Sequence, residues 1–154
     1  MRALIQRVTS ASVMIGGKIT GKIDKGLLIL LGVSVNDTCA EADKLVEKLL
    51  KSRIFEDENG KMNLSVTDIR GELLVVSQFT LYADCRRGNR PDFMDAARPD
   101  AANALYEYFK TKLKDGGLKV ECGVFGADMK VSLCNDGPVT ILFDTDELKK
   151  SRKS

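Results

Sequence analysis

Leu73-Leu74-Val75-Val76-Ser77-Gln78-Phe79-Thr80 changes from wholly apolar to largely polar at a single step. Four consecutive aliphatic residues with no alternation predict a strand buried in the protein. Where it ends, Ser77, Gln78 and Thr80 set hydroxyls, an amide and free backbone N–H groups at its tip. Two readings fit this break. A rigid element presents polar groups to a substrate, or the residues merely open a loop.

The strand has neighbours on both sides in sequence. Ala3 to Ile15 is rich in β-branched residues, and Gly16-Gly17 is a two-residue hairpin signal before a return strand from Lys18 to Ile23. After Asp24-Lys25-Gly26, Leu27 to Val35 is a strongly apolar strand. Thr38 and Glu41 have capping-box spacing and predict a helix with Leu45, Val46, Leu49 and Leu50 on its buried face. Glu56-Asp57-Glu58-Asn59-Gly60 reads as a solvated polar turn, because it lacks the alternating ligands and terminal Glu of a calcium loop.

Downstream, Leu81 to Ala97 has little periodicity and, with Arg98, carries Arg86, Arg87 and Arg90. Pro99 suits the first turn of a second helix, with Ala101, Ala102, Leu105, Tyr108, Phe109 and Lys112 at helical spacing and Gly116-Gly117 at its end. Leu118–Phe125, Met129–Cys134 and Val139–Phe143 follow as three strands, and the tail with Lys149, Lys150, Arg152 and Lys153 reads as a solvated end. The order is β(2)-(βα)2-β(3). Two helices cannot cover both faces of so many strands, so some strands should fold over as a second sheet. That predicts an α/β, three-layer β/β/α fold with a mixed sheet and two long helices.

With 154 residues, 44% of them apolar and 30% charged, the chain suits a single domain, 1–154, of a soluble globular protein. A net charge of +2 gives no bulk reason for DNA or membrane binding, and no apolar run approaches a membrane span. Met1-Arg2-Ala3-Leu4-Ile5-Gln6-Arg7 does not read as a signal peptide, so the expected compartment is the cytoplasm. The cysteines, Cys39, Cys85, Cys122 and Cys134, lack C-x-x-C spacing and read as reduced thiols. A tight turn at Gly126-Ala127 would set Cys122 opposite Val131, away from Cys134. Cys85 beside Arg86 and Arg87 has surroundings that activate a thiol.

The chain contains no histidine and no tryptophan. Ser-His-Asp and Cys-His arrangements are excluded, and the commonest metal ligand and the usual neutral-pH base are missing. No metal or cofactor is expected. Catalysis is left to carboxylates, lysine, backbone amides or groups carried by the substrate.

Asn135-Asp136-Gly137-Pro138-Val139-Thr140 interrupts the apolar C-terminal strands. A Gly-Pro pair offers two carbonyls, one N–H and almost no side chain. Together with Ser77-Gln78-Phe79-Thr80, Gly88-Asn89-Arg90-Pro91 and Phe125-Gly126-Ala127-Asp128-Met129, in that order along the chain, it resembles the D-aminoacyl-tRNA deacylases of the bacterial and eukaryotic type. The likeness runs from Gln6-Arg7-Val8 to Val139-Thr140.

The resemblance implies a homodimer whose substrate is the 3′ end of an aminoacyl-tRNA. Its reaction is hydrolysis of the ester of a D-amino acid, and of glycine mischarged on alanine tRNA. Ser77, Gln78, Phe79 and Thr80 would receive the ester. Phe125, Met129 and Ala102 would hold the terminal adenosine. A cis Gly137-Pro138 peptide, braced by Arg7, would reach into the partner's site and exclude L side chains. Phe79 N–H, with that of Thr80, would stabilise the oxyanion while a ribose hydroxyl positions the water. The rival mechanism makes Thr80 or Ser77 a covalent nucleophile, which lacks an adjacent base here. The rival functions are a non-catalytic RNA-binding module and a general small-ester hydrolase.

Overall fold

The computed structural model describes residues 1–152. Along the chain it forms β1 (Arg2–Ile15), β2 (Lys18–Ile23), β3 (Gly26–Gly32), α1 (Cys39–Lys51), β4 (Phe55–Glu56), β5 (Met62–Leu64), β6 (Glu72–Ser77), a 3-10 turn (Phe79–Tyr82), α2 (Pro99–Asp115), β7 (Val120–Cys122), β8 (Lys130–Asp144) and α3 (Thr145–Leu148). The apolar run 73–76 is the heart of β6, which pairs in parallel with β3 on one side and β7 on the other. The mixed sheet runs β2-β1-β3-β6-β7, with β8 on the remaining edge of β1.

Side chains in the central strands sort by parity into two cores. Leu27, Ile29 and Leu31 of β3 and Leu73 and Val75 of β6 join Leu45, Leu49, Tyr106 and Phe109 in a core under the two long helices. Leu28, Leu74 and Val76 face the other way and meet Val8, Ala11, Val13 and Ile23. Alternation along a strand is what allows one strand to feed two cores. The second core lies between two parts of one sheet. The first half of β1 pairs with β3 and the second half with β2, while β8 follows it along both. Register shifts fall between Gln6 and Val8 and between Val8 and Ser10. Such irregularities bend strands, and here the far halves of β1 and β8, with β2, fold over β3 and β6. The result is the expected β/β/α stack with two long helices.

Local signals hold well. Gly16 and Gly17 have φ of 55° and 81°, the positive pair that a tight hairpin of this kind requires. Thr38 and Glu41 close a complete capping box on α1, whose buried face is Ala42, Leu45, Val46 and Leu49, with Leu50 half-buried. The polar turn 56–60 is organised by Asp57, whose Oδ1 accepts from Asn59 N–H at 2.8 Å and Lys61 N–H at 3.1 Å, and it joins β4 to β5.

Non-local pairing changes the rest. The strands expected over Met129–Cys134 and Val139–Phe143 are one strand, β8, which begins at Lys130, since β1 pairs with both parts across the interruption. Gly126 turns with φ of 78°, yet β7 does not pair back on β8, so Cys122 has no partner at Val131. All four cysteines are free thiols. On α2 the buried residues are Ala102, Tyr106, Phe109 and Leu113, a face rotated from the expected one, and Ala101 is exposed. The tail begins with α3, and Lys149 and Lys150 pair with Glu41 and Glu147. Lys153 lies outside the described residues.

Candidate active site

Gln78 N–H donates to Leu31 O at 2.7 Å, which carries the β3 pairing one residue past the end of β6. The chain then tightens into the 3-10 turn, with Leu81 N–H on Gln78 O at 3.2 Å and Ala83 N–H on Thr80 O at 3.1 Å. Gly32 makes room for it, because a Cβ there would stand 3.0 Å from Leu81 Cβ and 3.1 Å from Gln78 O. Phe79 and Thr80 open the turn, where a helical segment supplies no acceptor for its first N–H groups. Among the described residues no protein acceptor meets either N–H. Gln78 Nε2 donates to Thr80 Oγ1, folding the amide back over the turn.

Beside this turn opens a cavity of about 580 Å³. Ser77, Gln78 and Phe79 form one wall, Ala102 of α2 another, and Phe125 and Met129 a third. Six of the expected site residues are thus brought together from three parts of the chain. None of the lining residues carries an ionisable side chain. The walls are braced from behind. Tyr106 stands 6.0 Å from the Phe125 ring, and its hydroxyl donates to Val75 O at 3.1 Å. Burial pushes the Tyr106 phenol well above its ordinary range, so it stays a neutral donor. Lys110 Nζ lies 4.5 Å from the centre of the Tyr106 ring. Gly123 leaves space for Met129, since a Cβ there would fall 2.4 Å from the thioether sulfur.

Phe93 lines the mouth and packs edge-on against Phe79, ring centres 5.0 Å apart. Ala96 and Ala97 extend the rim. The sequence offered no signal for these three, because segment 81–97 has no periodicity. Tyr106 was legible in principle, through its spacing with Ala102, Phe109 and Leu113. Thr80 sits on the turn but outside the lining, and Cys85 is exposed and also outside it.

Gly137, Pro138 and Arg7 lie elsewhere on the same chain. Between Asn135, paired with Val8, and Thr140, paired with Gln6, β8 bulges outward over residues 136–139. The Gly137–Pro138 peptide is cis, Gly137 has φ of 135°, and both residues are exposed. Arg7 is 5% exposed beneath the bulge. Its Nε donates to Asp136 O at 2.9 Å and its Nη1 to Ile54 O at 2.8 Å. Val139 N–H donates to Asn135 Oδ1 at 3.1 Å, and Asn135 Nδ2 to Thr140 Oγ1 at 2.9 Å. The bulge is therefore held from within and presents its Gly-Pro tip outward.

A profile of the family described as "D-Tyr-tRNA(Tyr) deacylase" matches residues 4–144. The chain is 60% identical over 149 residues to a D-aminoacyl-tRNA deacylase of Thermosipho melanesiensis, covering 96% of this chain and 99% of that one. It is 54% identical to one of Thermus aquaticus, covering 99% and 100%. Among solved structures it is similar to "c-Myc DNA Unwinding Element Binding Protein", with a TM-score of 0.88 and 44% identity over 94% of this chain and 98% of the other. A structure titled as a probable eukaryotic D-amino acid tRNA deacylase shares the fold, with a TM-score of 0.81 at 17% identity over 92% and 97%.

Proposed function

Because the chain belongs to the D-Tyr-tRNA(Tyr) deacylase family, we propose that it hydrolyses the ester linking a D-amino acid to the terminal adenosine of tRNA. The observation that carries this reading is the cavity at the end of β6, whose polar groups come from Ser77, Gln78 and the main chain and whose lining holds no ionisable side chain. Such a site suits a substrate that is already activated. Water adds to the ester carbonyl carbon, and negative charge builds on the carbonyl oxygen. The free N–H groups of Phe79 and Thr80 stabilise that charge, each donor contributing roughly 3–4 kcal/mol to the transition state. The adjacent ribose hydroxyl positions the water, the ribose oxygen leaves with a proton, and free amino acid and tRNA result.

Handedness is judged by exclusion. On this proposal the protein is a homodimer, and Gly137–Pro138 of a second copy enters the cavity that its own chain leaves open. The two carbonyls receive the α-ammonium group and leave no room for an L side chain, which is discrimination by a built-in clash. A D side chain points outward. Glycine has nothing to exclude, so glycyl-tRNA, including glycine mischarged on alanine tRNA, is hydrolysed too.

Release of amino acid from D-Tyr-tRNA, L-Tyr-tRNA and Gly-tRNA tests the reading. Turnover of the D and glycyl substrates with the L ester spared is expected, and it should persist in Ser77→Ala and Thr80→Ala. Equal consumption of both enantiomers overturns the filter. A trapped acyl-enzyme that vanishes in Thr80→Ala overturns the substrate-assisted mechanism.

A further inference from the structure

Between the 3-10 turn and α2 the chain makes a closed loop. Asp84 N–H donates to Asp92 O at 2.7 Å and Asp92 N–H to Asp84 O at 2.9 Å, so the loop has a defined foot. The next residue is Phe93, which lines the mouth of the cavity and packs on Phe79. The loop is thus rooted on the rim of the candidate active site. It carries Arg86, Arg87 and Arg90, all exposed. Arg86 is engaged at the foot, where its guanidinium meets both Asp84 carboxylate oxygens at 2.7–3.1 Å. Arg87 and Arg90 have no acidic partner at ion-pair distance among the described residues, and Arg98, where the segment enters α2, has none either. Asp92 and Asp95 line one pocket with Arg87, neither at ion-pair distance from it, and Asp92 Oδ1 accepts from Met94 N–H at 2.7 Å. Another stretch of rim, Gly126-Ala127, runs into Asp128, whose exposed carboxylate lies 3.7 Å from Lys130 Nζ.

A 3′-terminal nucleotide seated in the cavity has one covalent continuation, through its own 5′ phosphate to the strand before it. That strand must leave across one rim, and phosphates favour the side with two guanidiniums free of ion pairs over the side whose lysine, Lys130, is already paired with Asp128. Resting on the deacylase reading above, we propose that the Asp84–Asp92 loop is the platform for the RNA strand entering the cavity, with Arg87 and Arg90 each contacting a backbone phosphate. The loop then adds affinity for RNA and takes no part in the chemistry at the ester.

The test uses the full chain and an uncharged hairpin RNA with a single-stranded 3′ tail ending in adenosine, its binding followed by fluorescence anisotropy from 50 to 200 mM salt. Arg87→Ala/Arg90→Ala should bind about tenfold more weakly, with the salt slope shallower by about 0.7 per arginine removed. Arg87→Lys/Arg90→Lys should keep most of both, because lysine still supplies a point charge. In parallel, the ratio of kcat/KM on D-aminoacyl-tRNA to that on D-aminoacyl-adenosine should fall in the alanine variant, with the loss in KM. An unchanged salt slope, or equal losses on the two substrates, overturns the proposal. Failure of the unmodified protein to hydrolyse either substrate defeats the deacylase reading instead, while the anisotropy arm still decides the role of the loop.

Discussion

Arg7 is a charged side chain in a place usually given to an aliphatic one, and it is held there by carbonyls from two separate segments, Ile54 and Asp136. Its stem fills the space under the β8 bulge and its fork fixes the main chain on either side. Arg7→Leu leaves two carbonyls near the interior without donors and should lower stability by roughly 2–4 kcal/mol. Urea unfolding of that variant beside Arg7→Lys checks this, with the lysine variant expected in between because it can reach one carbonyl. If the proposed filter is right, both variants lose selectivity against L esters before they lose the fold. Residue by residue, legibility followed locality. The step from Val76 to Ser77 needed only neighbours in sequence. The burial of Arg7 depends on Ile54 and on the bulge, and Gln6-Arg7 reads as polar surface until those partners are placed. Phe93 was hidden for the same reason, since only its contact with Phe79 makes it part of a rim.

α1 shows how far an element can be read from its own ends. Thr38 N–H donates to Glu41 Oε2 at 2.7 Å, and Ala40 N–H to Thr38 Oγ1 at 3.3 Å. Thr38→Ala should cost about 1 kcal/mol. Hydrogen bonds from the Thr38 side chain and backbone hold the Glu41 carboxyl down at about 2, against an ordinary value of 4.5. The folded state therefore binds this proton less readily than the unfolded chain. The box contributes its full stability above about pH 4.5 and loses it as pH falls towards 2. Glu41→Gln should flatten that part of the acid-unfolding curve, followed by circular dichroism. An unchanged curve would mean that the box adds nothing to the protein. β8 is the opposite case. Asn135-Asp136-Gly137-Pro138 has every local mark of a turn, and only β1, running past it on both sides, makes one strand of the two. The buried face of α2 slipped for a related reason. Which stripe is covered is decided by the sheet beneath, and Tyr106 is fixed by Val75 rather than by its helical neighbours.

For the molecule as a whole, the layered architecture was readable from element order and from the shortage of helices. The fold-over at Val8–Ser10 was not, because irregular register has no local signature. The arrangement sets a chemical expectation. With no ionisable group among the lining residues, no enzyme base titrates during turnover. On the proposed mechanism, in which neutral water attacks, log kcat should then stay flat from about pH 5 to 7, as measured by single-turnover release from D-aminoacyl-tRNA. A sigmoidal rise in that range would require a base that the cavity wall does not contain.

The cavity opens along the seam where the two cores meet. Val33 and Ala102 belong to the core beneath the helices, Val76 to the core between the sheet halves, and all three line the cavity. Its floor is thus structural timber as well as binding surface. Attempts to widen the site for bulkier cargo by trimming these side chains would loosen both halves of the protein together. Engineers seeking a broader range should recut the doorway at Phe93 and Ala96 and leave the foundations alone.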